Sequence, residues 1–193
     1  MVHSDKQNVH SFLEQFNLIN SYANYFLIFL CPLILTFVIS LLIIDEIYTI
    51  NKAVLEVAAL IILGIYFLIS TLKFATNRDK YFLWVSCMLL TLLIREIHPP
   101  GSSLGVYIGI LILLYVAHRN FENFSDYFLN KKLINFTATG FFTYFIAVTI
   151  DQRFWKIIPG EEIVHVPLEE SLEVIGHLLI GYGLVFMSQK RKS

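Results

Sequence analysis

The stretch Tyr25 to Ile44 runs for twenty residues without a charge, and an unbroken apolar run of that length is suited to one structure, an α-helix across a bilayer. The hydrocarbon core is about 30 Å thick, so a helix rising about 1.5 Å per residue needs about 20 residues to cross it. In that medium each backbone N–H and C=O must be satisfied inside the segment, which a helix does. Runs of spanning length with few or no charges follow at Ala53 to Leu72, Tyr81 to His98, Pro99 to Ala117, Leu133 to Ile150 and Ser171 to Met187. The pattern predicts an all-α, polytopic membrane protein, a bundle of six transmembrane helices joined by short loops. Composition agrees: 56% of the residues are hydrophobic, 15% are charged, and the mean hydropathy is +0.67, well outside the soluble range. No stretch between spans is long enough for a separate water-facing catalytic domain, so any chemistry must sit on the helices or their loops.

Three divisions are expected: an N-terminal interfacial segment over 1–24, the six-helix domain over 25–188, and a basic tail over 189–193. In SFLEQFNLIN, Ser11 and Glu14 have capping-box spacing and Phe12, Phe16 and Ile19 recur at near-helical spacing, which predicts a short helix lying on the membrane. FENFSDYFLNKK, 121–132, repeats the pattern with Phe121, Phe124 and Phe128 and predicts a second. No basic stretch followed by a short apolar core and a cleavage site opens the chain, so the first span is expected to stay. The fourth span is the one whose entry is open: HPPGSS before it allows a loop or a re-entrant break, while Gly101, Gly105 and Gly109 form a small-residue stripe suited to close helix contact. Cys31 and Cys87 lie in apolar runs without metal-ligand spacing and read as buried small hydrophobes.

Basic residues set the orientation. Lys6, Lys73, Arg78, Lys80, Arg119, Lys131, Lys132, Lys190, Arg191 and Lys192, ten of the fourteen, fall on one side of this topology. The positive-inside rule assigns that side to the cytoplasm. The expected location is thus a cytoplasmic membrane crossed several times, with both termini inside, the bilayer as surroundings, a homo-oligomer or larger membrane complex as company, and no nucleic-acid signature.

Ten of the fifteen carboxylates fall at or near the other face, and several sit below it. Fourteen uncharged residues precede Arg95 in its span, a rise of about 21 Å. Sixteen residues separate Glu56 from Lys73, and fifteen follow Glu173 before Gln189, giving about 24 Å and about 22 Å. Ionisable groups on three helices therefore reach one depth. His177 shares a helical face with Glu173 and Glu170, His98 follows Glu96 by two, and Asp151 and Arg153 close the fifth span. A lone charge at such depth costs about 2.5 to 3.5 kcal/mol on insertion scales, so groups of both signs should face one polar pocket, with Glu56, Asp151, Arg153 and Glu169 among its walls.

Three functions fit that pocket. Ion pairs could merely lock the bundle, leaving a structural or partner-binding subunit. With Lys52 and Lys156 assigned to the water interface, however, carboxylates outnumber Arg95 and Arg153, and crowded carboxylates hold protons or recruit a cation. The leading expectation is therefore an acidic pocket near the extracytoplasmic face that binds a cation or protons for sensing, transport or complex assembly. Its sharper form is a metal site: Glu173 and His177, four apart, with Glu96 and His98 make a mixed N/O shell suited to Zn or Mn. A metal there implies a membrane hydrolase acting on a lipid or lipid-linked substrate, with Glu173, Glu170 and Arg95 at the reacting centre and bound water as nucleophile. For transport, Pro32 is a candidate kink, but the inner half offers only hydroxyls such as Thr36, Ser40 and Ser70. Bis-histidine haem fits poorly, because His118 and His177 lie at different levels.

Two short stretches resemble known families. EESLEV is similar to the paired glutamates that open the motif of CAAX-protease-like peptidases, but Glu173 and Val174 stand where a basic residue belongs and the later histidine motifs are missing. HPPGS, 98–102, is similar to the opening of the HPP-family signature over five residues alone. Neither transfers a function.

Overall fold

The computed structural model describes residues 12–47, 51–97, 102–154, 156 and 161–188. It contains eight α-helices and no strand among them. They are α1 (Phe12–Asn20), α2 (Cys31–Ile44, entered through a π-helical turn Phe26–Leu30), α3 (Lys52–Asn77), α4 (Lys80–Ile97), α5 (Ser102–Arg119), α6 (Phe121–Phe128), α7 (Lys131–Asp151) and α8 (Glu161–Phe186). Each predicted span thus has a helix. Three segments, Phe26–Ile44, Lys52–Asn77 and Lys131–Asp151, are long and apolar enough to cross a membrane. Of the other three helices, α4 and α8 carry the charges described below, and the apolar part of α5, Gly105–Arg119, is shorter. Ser11, His98, Gly101, the HPPG segment, Trp155 and the basic tail lie outside the described residues.

Local chemistry explains the boundaries. Asn51 and Asn130 cap α3 and α7 by accepting backbone N–H groups with their side chains, which relieves donors that have no partner inside the helix. Arg78, in the left-handed region at φ 54°, ends α3 with its N–H on the Phe74 carbonyl. The expected irregularity at Pro32 takes the form of the π-helical turn just before it: proline has no N–H to give the preceding turn, which opens to a wider winding.

The axis of the bundle is α8, which packs on α7 most extensively and also on α3, α2 and α4. Between apolar helices in lipid the association comes from close packing rather than from hydrophobic burial. Here that packing rests on glycine. A Cβ on Gly140 of α7 would come within 2.8 Å of the Ile180 backbone nitrogen and 3.0 Å of the Gly176 carbonyl on α8. The stripe singled out in the sequence is not the seam: a Cβ on Gly105 would meet nothing within 4 Å, and one on Gly109 would meet only the Thr91 side chain.

Outward faces are apolar. On α2 Leu33, Ile34, Phe37 and Leu41 are exposed, and on α5 Tyr107, Leu111, Ile112 and Tyr115, surfaces that match lipid tails better than water. Cys31 and Cys87 are exposed there as well, contrary to the expected burial, because helical phase and not composition decides which side of an apolar span faces inward.

The two short helices differ. Phe12 and Phe16 of α1 are exposed. In contrast, Phe121 and Phe124 of α6 are buried, and α6 docks on α4 through an aromatic cluster in which Tyr81 stacks on Tyr127 with ring centroids 4.0 Å apart. The Tyr127 hydroxyl donates to the Asp79 carboxylate. Burial first, and then that carboxylate, hold the phenol above its ordinary range. Tyr127→Phe is expected to cost about 1.5 to 3 kcal/mol, the usual worth of a hydrogen bond to a charged group. Thermal unfolding in detergent measures it.

Candidate functional site

Arg95 and Glu96 come from the last turn of α4, Tyr144 from α7, and Glu173 and His177 from one face of α8. The Arg95 guanidinium donates through Nη2 to Glu173 Oε1 at 2.8 Å and through Nη1 to Glu96 Oε1 at 3.1 Å. Its planar fork suits it to two acceptors on different helices, so one side chain ties α4 to α8. The same guanidinium lies over the Tyr144 ring, 4.7 Å from its centroid, which adds a cation–π contact from α7. Glu96 and Glu173 are 9% and 5% exposed, and the Arg95 side chain 17%. At that burial the partners depend on one another, since a charge left alone cannot be re-solvated.

His177 sits against this group with 0% exposure. Its Nε2 is 3.7 Å from Glu96 Oε1, too far for a hydrogen bond, and its ring is 5.2 Å from that of Tyr144. Among the described residues neither ring nitrogen of His177 nor the Tyr144 hydroxyl has a hydrogen-bond partner. One guanidinium thus holds two largely buried carboxylates from different helices.

A second group forms its rim. Lys52, the first residue of α3, places Nζ 2.8 Å from Glu170 Oε1 and 3.5 Å from Glu56 Oε1. Glu170 is buried, whereas the Lys52 side chain is 52% exposed, so the pair is weakened by water. Glu169 stands half-buried within the electrostatic reach of Asp151, Glu173, Glu170 and Lys52. Asp151 is exposed and accepts from Gln152. Arg153 follows in the left-handed region at φ 53°.

The expected pocket therefore divides into a buried cluster and a partly exposed rim. Arg95, Glu96, Glu173 and His177 meet in the first. Glu170 and Glu56 meet Lys52 in the second, which corrects the exclusion of Lys52 from the balance of charge. The expected Zn or Mn shell of Glu173, His177, Glu96 and His98 does not assemble: among the described residues no three His, Cys, Asp or Glu are arranged to hold a metal, and His98 lies outside them. The physical reason is that Glu96 and Glu173 each turn Oε1 to Arg95. Tyr144 went unnoticed in the sequence, because within FFTYFIAVTI an aromatic in an apolar run carries no mark of its partner.

No protein family, curated protein or solved structure matches this chain, so what the cluster does must be argued from its own geometry.

Proposed function

We propose that the chain crosses a cytoplasmic membrane six times with both termini inside, and that the Arg95–Glu96–Glu173–His177 cluster is a proton-binding site reached from the outer face by way of Glu169 and Glu170. What carries this reading is the pair of buried carboxylates drawn to one guanidinium, beside an imidazole whose ring nitrogens have no hydrogen-bond partner among the described residues. Two acids sharing one guanidinium out of water are held more favourably when one proton joins them, and neutral His177 places Nε2 3.7 Å from Glu96, an acceptor within a small side-chain movement of a protonated carboxyl there. The acidic rim draws cations toward the opening. Arg95 then serves as the fixed countercharge that keeps the remaining carboxylate ionised.

Binding is favoured here over conduction through the bundle. Hydroxyls that could relay a proton farther are engaged locally: Thr36 donates to the Pro32 carbonyl, Ser40 to the Thr36 carbonyl, and Ser70 to the Phe67 carbonyl. The site fits a sensor of external acidity, or a subunit whose assembly depends on it, better than a channel. A metal-dependent hydrolase has no ligand cluster among the described residues to favour it.

The test is infrared difference spectroscopy of the protein in vesicles, between acidic and neutral medium. A carboxylic C=O band is expected in wild type and is expected to be lost in Glu96→Gln or Glu173→Gln. A wild-type spectrum with no such band, or a band untouched by both substitutions, would remove the cluster from any proton chemistry.

A further inference from the structure

At the opposite end of the bundle from the charge cluster lies a cavity of about 510 Å³. Its walls come from the first halves of α4 and α7 (Trp84, Met88, Leu133, Phe141), the last turns of α5 and α8, and α6, with α1 laid across it through Phe12 and Phe16. Packed interiors tolerate few voids larger than a water molecule, and a space with almost wholly apolar walls does not hold water. Within a membrane the matter available to fill it is the hydrocarbon of the lipid.

Its shape and surroundings narrow the occupant. From Leu133 to Phe141 along α7 is eight residues, about 12 Å of depth against a leaflet of about 15 Å, so the cavity has the reach of a chain entering from a headgroup and not of a crossing ligand. Basic residues neighbour the lining residues in sequence: Arg119 follows His118, and Lys131 and Lys132 precede Leu133. All three are exposed, and none has a carboxylate partner among the described residues. The cover is fastened in place: His118 Nδ1 and Gln15 Oε1 are 2.8 Å apart, which joins α1 to the end of α5.

We propose that this cavity is a binding site for one acyl chain of an anionic phospholipid, with the phosphate held by Lys131, Lys132 and Arg119 and with α1 closing over the tail. It does not depend on the proton-binding cluster and can fail or stand without it.

Trp84 makes the test direct, since it lines the cavity while only 7% exposed and the chain has two tryptophans. With Trp155→Phe, the remaining fluorescence reports on the cavity alone. The protein is reconstituted into vesicles containing phosphatidylglycerol or phosphatidylcholine with brominated acyl chains, a quencher that acts only at contact. Strong quenching is expected, with a preference for the anionic lipid. Each basic residue near a membrane surface is worth about fivefold in attraction for anionic lipid, so Lys131→Gln with Lys132→Gln should reduce that preference by at least this factor and leave quenching by the zwitterionic lipid in place. Ala138→Phe, which fills the cavity from its wall, should reduce quenching by both. The comparison of the two lipids needs no cavity variant, so a misfolded Ala138→Phe leaves the test intact. Equal quenching by the two lipids overturns the anionic preference, and a Trp84 signal untouched by either overturns the acyl site.

Discussion

Arg95→Met is expected to destabilise the protein by about 3 to 5 kcal/mol, the cost of removing one partner from a buried ion pair. The reason is the pair of carboxylates it leaves behind. Glu96 and Glu173 are both nearly excluded from the surface, and each accepts one arm of the same guanidinium. Without it they face each other and the apolar ring of Tyr144. The loss is a property of the stranded acids more than of the missing contact, and this can be separated experimentally. Arg95→Met combined with Glu96→Gln and Glu173→Gln should recover most of the stability, because neutral groups of similar volume often replace a buried ionic cluster at little cost. Reversible unfolding in mixed detergent reads both. If Arg95→Met alone behaves like a change at an exposed pair, within about 1 kcal/mol, the three charges are better solvated than their burial indicates and the proton-binding proposal loses its driving force.

The same residues show how far a sequence can be read. Counting residues from the expected cytoplasmic ends of the spans put Arg95, Glu96 and Glu173 at one depth, because rise per residue is nearly invariant in a helix. It placed His177 on their face by its spacing of four from Glu173. What counting cannot supply is azimuth and partner. Glu56 and Glu173 reach similar depth, yet Glu56 turns to Lys52 on its own helix at the rim while Glu173 turns to Arg95 in the interior. Lys52 was set apart because a lysine at a helix start is usually solvated, and its long stem allows it to reach Glu170 all the same. Tyr144 and the cavity beneath α1 were invisible for a related reason: both are made of ordinary apolar residues, whose role depends on which neighbours the packing brings to them. Even α6, whose phenylalanines read as an interfacial face, presents them to Tyr81 and Trp84.

Helix packing also decides which glycines matter, and the expected order inverts the one suggested by the spacing of Gly101, Gly105 and Gly109. Gly140→Ala is expected to cost about 1 to 3 kcal/mol, the usual penalty for overpacking, and Gly140→Leu more, because the atoms in the way are the backbone of α8 at Ile180 and Gly176. Backbone cannot rotate aside as a side chain can, so α7 and α8 must part. Gly105→Leu, by contrast, projects into open space and should stay within about 0.5 kcal/mol, as surface substitutions do. The parting has a consequence for the site. Tyr144 lies one turn beyond Gly140 on α7, and His177 is the residue after Gly176 on α8, so the substitution that spreads the seam also spreads the wall of the charge cluster. Gly140→Ala should therefore weaken the carboxylic band of the infrared spectrum even where the protein remains folded, while Gly105→Leu leaves it unchanged. Were Gly105→Leu the more damaging of the two, α5 would have to be packed against a second copy of the chain, and the α7–α8 seam would no longer be the contact on which the site depends.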